Sequence, residues 1–255
     1  MTDAEILLGS TFGRCLDRFS FIYSFRATSQ KGMTAAVPII HEQKRTFINT
    51  VVSVLELAKM IERKEDLLTD PLEETAAMLT NTTLKNSLIA TNAASLVFAH
   101  SIIDGAALDF CRVTALVAPR DWESSIDQRQ IKLSEARESD YEQLLRRKLA
   151  EFFQQLDREP LVKKADHLFA RCTPPEKWRP IEDYEYDRDR LKRLDQYRHD
   201  VVHGGGLQKE ISAIDDEIAF LQKTCIFFTM LVVAKYQIKF HPDETMKAVV
   251  RSFLY

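Results

Sequence analysis

From Asn81 to Ala118 the chain runs without a proline, and apolar residues return every three or four positions: Leu84, Leu88, Leu96, Ala99, Ile103, Ala106, Phe110 and Val113. That spacing gathers them on one face of a long helix. A second run, Ile211 to Gln237, is apolar nearly all round, with Phe220, Leu221, Ile226, Phe227, Met230, Leu231 and Val233. Such a helix belongs at the centre of a bundle or at a subunit interface. Seven glycines and eight prolines in 255 residues leave few breaks. The expected fold is therefore all-α, a bundle of roughly seven to nine helices.

The remaining segments fit around these two. Ala4 to Phe25 shows helical spacing, and a break is expected at Ser29 to Gly32, with Pro38 holding its neighbours extended. From His41 to about Lys64 a helix presents Phe47, Val51, Val54, Leu55 and Ala58 on one face. Asp70-Pro71 reads as a helix start. Pro119 to Trp122 reads as a loop, Ser124 to Asp157 as a charged helical hairpin buried on one side, and Leu161 to Ala170 as another helix. A last helix is expected from Asp243 to Phe253. No linker stands out, so the whole chain, 1–255, reads as one all-α domain: residues 1–70 as an N-terminal helical extension and 81–255 as the core.

A formal net charge of −3 excludes a polycation that coats nucleic acid by charge alone, while leaving room for a local basic cleft. Cys15, Cys111, Cys172 and Cys225 are scattered, which fits neither a zinc site nor a disulfide framework and points to a reducing, cytoplasmic setting. The start, Met1 to Glu5, lacks the basic region of a secretory signal. The most apolar run, Cys225 to Ala234, is about half the ~20 residues of a membrane span and reads as core, so no membrane partner is expected.

The chemistry concentrates between Asp187 and Gly206. A charged helix ends in Tyr197-Arg198-His199-Asp200-Val201-Val202-His203, followed by three glycines. These residues leave four chemistries open. Asp195, His199 and His203 follow at i, i+4 and i+8, so one face could offer metal ligands, although no His-Glu-x-x-His or second ligand pair accompanies them. Arg198 and His203 could instead act on a phosphodiester, the guanidinium binding phosphate and the imidazole moving a proton. On an ideal helix those two lie about 140° and about 7.5 Å apart, so a helix end near His203, or a second copy of the helix, must bring them to one cleft. The third chemistry is binding of nucleotide or nucleic acid without cleavage. In the fourth, Arg198 simply pairs with a nearby acid and the histidines cap a helix end. Elsewhere, Asp104 is an acid set among Ile102, Ile103, Gly105, Ala106 and Ala107; it is either solvated at a groove or paired with a cation such as Arg198. Trp178, Tyr184 and Tyr186 either stack on a base or, the more ordinary role, pin a loop.

Arg198-His199-Asp200-Val201-Val202-His203-Gly204 resembles the Arg-polar-x-x-x-His signature of the HEPN superfamily, helical bundles among which are many metal-independent endoribonucleases of toxin–antitoxin, abortive-infection and other phage-defence systems. The resemblance covers mainly residues 187–237. It implies a HEPN-like four-helix core, catalysis by Arg198 and His203, and a supporting part for His199, with Asp104 in a plausible place for the acid that some members add. It also implies RNA as partner, a homodimer whose two motifs face one cleft, an antitoxin or regulatory protein, and neither metal nor other cofactor. Arg188, Arg190, Lys192 and Arg193 are candidates for flanking phosphates, diluted by Asp187, Asp189 and Asp195. Phe227, Phe228 and Leu231 fit either a dimer contact or plain core.

Overall fold

The structure is a computed structural model and describes residues 2–57, 72–126, 140–173, 180–203 and 213–239. These form six α-helices, α1 (Asp3–Leu57), α2 (Leu72–Val117), α3 (Tyr141–Leu156), α4 (Leu161–Arg171), α5 (Arg188–His203) and α6 (Ile214–Tyr236), with a 3-10 helix (Pro119–Ser125) after α2. No strand occurs among the described residues. The all-α expectation holds. Gly204 to Gly206, Trp178 and the expected last helix lie outside the described residues.

Local chemistry sets several helix ends. Thr2 and Glu5 form a reciprocal capping box at the start of α1: the Thr2 amide donates to Glu5 Oε2 (2.6 Å) and the Glu5 amide to Thr2 Oγ1 (3.3 Å). Asp140 caps α3 through the Gln143 amide at 3.0 Å, and Asp187 caps α5 through the Arg190 amide at 2.8 Å. Helix α6 ends at Gln237, which sits in the left-handed region at φ 51°, ψ 36°. A side chain there meets the Cβ clash that glycine avoids. We expect Gln237→Gly to raise stability by about 0.5–1 kcal/mol, read as a higher midpoint in urea unfolding with an unchanged slope.

Two expectations about α1 are corrected. It is one helix, unbroken at Ser29–Gly32 and continuing through Pro38. Gly32 has open space where a Cβ would stand, so it marks no close approach or turn. Pro38 removes one backbone donor, a local loss that a 55-residue helix absorbs. The buried face is also offset by one position from the expected one. Ile48 and Val52 pack with Ala76, Leu72 and Leu79 of α2, while Phe47, Val51 and Val54 are 62, 37 and 57% exposed. The helix expected to start at Asp70-Pro71 and the one expected from Asn81 are one helix, α2, described from Leu72, and the stretch after Pro119 is a 3-10 helix rather than a loop.

The chain divides into two compact units. The smaller, residues 23–57 and 72–95, is a helical pair built on Ile48, Val52 and Ala76, with Arg26 bonded to Asn92 (3.3 Å) and Arg45 to Glu73 (2.9 Å). The larger holds residues 2–22, 96–126, 140–173, 180–203 and 213–239. Its axis is the C-terminal half of α2, whose Leu96, Ala99, Ile103, Ala106, Phe110 and Val113 are all buried. Around it, Asp109 accepts from Thr11 and Arg14 of α1, Cys111 Sγ donates to the Lys164 carbonyl of α4, and Phe110 meets Phe228 of α6 edge-on. Burial pushes the Cys111 thiol up to about 12, so it stays protonated and acts as a small apolar residue. Trp122, fully buried, donates to Thr114 Oγ1 (3.0 Å) and packs on Phe153 of α3. Two helices, α2 and α6, are long and apolar enough to cross a membrane; 61% of the most apolar stretch of each is buried inside the protein.

Candidate functional site

Helix α4 opens with Pro160, which offers no side chain to cap its first amides. The cap comes from α5. Asp195 accepts from the Leu161 amide at Oδ1 (3.2 Å) and the Val162 amide at Oδ2 (3.0 Å). A third partner comes from α2: His100 Nε2 lies 2.7 Å from Asp195 Oδ1. Because a carboxylate only accepts, Nε2 is the donor of that bond. His100 is 2% exposed, and its Nδ1 is buried with no hydrogen-bond partner.

One helical turn further on stands Arg198. Asp195 and Arg198 are i and i+3, so they share a face of α5. The Arg198 Nε is likewise buried without a hydrogen-bond partner. Both residues line a cavity of about 710 Å³ beneath the α4 terminus, together with His100, Asp104, Lys163, Lys192 and His199. The residues that line this cavity are of mixed charge.

The structure gathers some of the expected residues and separates others. Arg198, His199, Asp104 and Lys192 share the cavity wall; His203 does not line it. His203 is an exposed residue of α5, and its ring lies 4.8 Å from that of His199. The two imidazoles therefore run from the cavity edge outward along one helix face. Asp104 does meet a cation, but it is Lys164 rather than Arg198: Lys164 Nζ, 0% exposed, donates to Asp104 Oδ1 at 2.6 Å. Arg188 makes a bidentate pair with Asp166 of α4 (2.8 Å for each bond), which holds the Asp166 carboxyl below its ordinary range. Arg190 donates to Glu217 of α6 (2.8 Å) and lies over the Phe220 ring. Both guanidiniums are thus engaged in joining helices. Lys192 and Arg193 are exposed.

Among the described residues no group of three or more His, Cys, Asp or Glu side chains is placed to hold a metal ion. Asp195, which spacing alone aligned with His199 and His203, is turned to the α4 amides and His100. The tyrosines take the pinning role: Tyr184 Oη donates to Thr224 Oγ1 (3.0 Å), and Tyr186 packs on Phe169 and Phe227. Burial raises both phenols above their ordinary range. Phe227, Phe228 and Leu231 are buried within the chain.

Sequence reasoning missed His100 and Lys164. The sequence carries one signal for His100: it precedes Asp104 by four residues, so two ionisable groups share a helix face among apolar neighbours. Nothing in the sequence links Lys164 to Asp104. No protein-family model, curated protein or solved structure matches the chain.

Proposed function

We propose that the cavity beneath the α4 terminus is the active site of a cytoplasmic, metal-independent endoribonuclease of a stress or phage-defence system. The observation that carries this reading is Arg198, half-buried at the cavity wall with an unmatched Nε donor, next to an imidazole pair, His199 and His203. Arg198 binds the scissile phosphate and stabilises the charge that builds on its oxygens. The 2′-hydroxyl loses its proton and attacks phosphorus, the bond to the 5′-oxygen breaks, and that oxygen takes a proton; His203 is the proton-transfer group, His199 and Asp104 support it. Within one chain His203 lies outside the cavity, so a second copy related by a twofold axis completes the cleft. An antitoxin or regulatory protein restrains the activity.

The test is incubation of the purified chain with a mixed RNA pool in excess EDTA. The proposal expects cleavage that chelation leaves unchanged, and toxicity on expression that Arg198→Ala and His203→Ala relieve. Salt-sensitive binding with no cleavage of any RNA would leave a nucleic-acid-binding module in its place.

A further inference from the structure

We infer that the outer face of α1 in the smaller unit is an interface with a second copy of the chain, packed antiparallel about a twofold axis at Gln43. This interface is separate from the cavity and does not depend on its function.

One face of α1 turns Ile48 and Val52 to α2. Another carries Ile39, Phe47, Val54 and Leu57, which are 62, 62, 57 and 83% exposed. At ~100° per residue these four lie within about 40° of Gln43 around the helix, so they form one straight stripe. Single exposed apolar residues are ordinary, whereas a row of them along one helix marks an interaction surface. Midway along the row lies a hollow of about 680 Å³, lined by Pro38, Ile39, Gln43 and Phe47 among others.

The stripe is its own complement. Ile39 and Phe47 stand four residues either side of Gln43, Ala36 and Thr50 seven, Gly32 and Val54 eleven, Ser29 and Leu57 fourteen. A second helix running the opposite way, with its Gln43 level with this one, brings Phe47 to the level of Ile39 at the hollow. It also sets Val54 against Gly32 and Leu57 against Ser29, a large side chain against a small one each time. Gly32 is exposed and has open space where a Cβ would stand, which leaves room for Val54 of the second copy. A parallel pair would instead put Phe47 against Phe47 and Gly32 against Gly32, overfilling one level and leaving a void at the other.

The polar members of the stripe fit the same arrangement. Gln43 meets its own copy on the axis, and an amide both donates and accepts, so each satisfies the other. Thr50 brings no unmet hydroxyl, because its Oγ1 donates to the Thr46 carbonyl at 2.9 Å. None of the stripe positions carries a charge, so two copies meet without repulsion. From Ser29 to Leu57 the strip is about 42 Å long and about 10 Å wide, and two of them face to face remove on the order of 1,200–1,500 Å² from water, within the range of stable interfaces. A lipid surface fits less well: Glu42 lines the same hollow, paired with Arg45 at 3.4 Å, and an acid there opposes anionic headgroups.

The test is sedimentation equilibrium of the full-length chain over a wide concentration range. Phe47→Glu should halve the mass of the largest species and weaken self-association at least about thirtyfold, the worth of a central anchor, whether or not another pairing exists elsewhere on the chain. Phe47 is mostly exposed, so the variant's circular dichroism and thermal melt should match those of the wild type. Orientation is read with a short bismaleimide. The four native cysteines are buried, so Gln43→Cys, on the axis, should link to its own copy. Thr50→Cys should not, because its copy stands about 21 Å away along the pair. A parallel pair would link both. The inference is overturned by a wild-type chain that stays monomeric throughout, including one that floats with anionic vesicles as a monomer. A Phe47→Glu chain of unchanged mass, or a Thr50→Cys chain that links as readily as Gln43→Cys, overturns it too. The cross-linking result stands even where Phe47→Glu does not fold.

Discussion

Arg198→Ala should lower the rate of RNA cleavage by about 10²–10³, the usual loss when a positioned donor to a developing oxyanion is removed. The fold should survive. Leu191, Leu194 and Tyr197 provide the buried face of α5, whereas Arg198 is only half-buried and its buried Nε contributes no hydrogen bond that truncation would break. His203→Ala, at an exposed position, should cost about 10²–10⁴ with no change in melting temperature, in line with loss of a proton-transfer group. Initial rates on a fluorogenic RNA, paired with thermal melts of the same samples, check both. A variant that keeps full activity, or that loses activity only in step with its melting temperature, would remove its residue from the mechanism.

The second large effect concerns stability. Asp104→Ala should destabilise the protein by about 3 kcal/mol, because it strands the Lys164 ammonium at 0% exposure with its 2.6 Å partner gone. The estimate sits at the low end for a buried pair because Asp104 is itself 22% exposed. Lys164→Met added to Asp104→Ala should recover most of the loss, since an apolar side chain of similar length suits that site. Urea unfolding of the two single variants and the double variant closes the cycle. If Asp104→Ala alone is neutral, the ion pair contributes nothing beyond its own desolvation cost. Asp104 also lines the cavity, so the double variant separates its structural part from any part in cleavage: stability returns in that protein, whereas a direct contribution to the reaction does not.

Much of the architecture was legible because burial has a period. The stripe Leu96, Ala99, Ile103, Ala106, Phe110 and Val113 needs no tertiary information to be seen, and it is the core of the larger unit. The end points of α4 and α6 likewise fall within a few residues of their sequence signals. The failures share one cause. Gly32 and Pro38 are local breakers, yet α1 runs through both, since a long helix tolerates one missing donor. On the same helix Phe47, Val51 and Val54 look as apolar as Ile48 and Val52, and hydropathy cannot say which stripe faces α2.

The site shows the same division. Arg198, His199 and His203 are close in sequence, and the proposal for them starts from that spacing. The contacts that organise them are long-range. Asp195 reaches the amides of Leu161 and Val162 and the ring of His100, and Lys164 reaches Asp104, all across breaks that no spacing rule spans. An acid spaced i, i+4, i+8 with two histidines suggests a ligand set until α4, lacking a cap of its own, claims it. Arg188 and Arg190 read as phosphate contacts until Asp166 and Glu217 are seen opposite them.

The ends of the RNA fragments test the central claim most directly. Mass spectrometry of products made by the wild-type chain in EDTA should find a 2′,3′-cyclic phosphate on one fragment and a 5′-hydroxyl on the next, because the 2′-oxygen is the nucleophile and the 5′-oxygen the leaving group. Fragments ending in 3′-hydroxyl and 5′-phosphate would mean that water attacked instead, and the arrangement of Arg198 and His203 would need another chemistry.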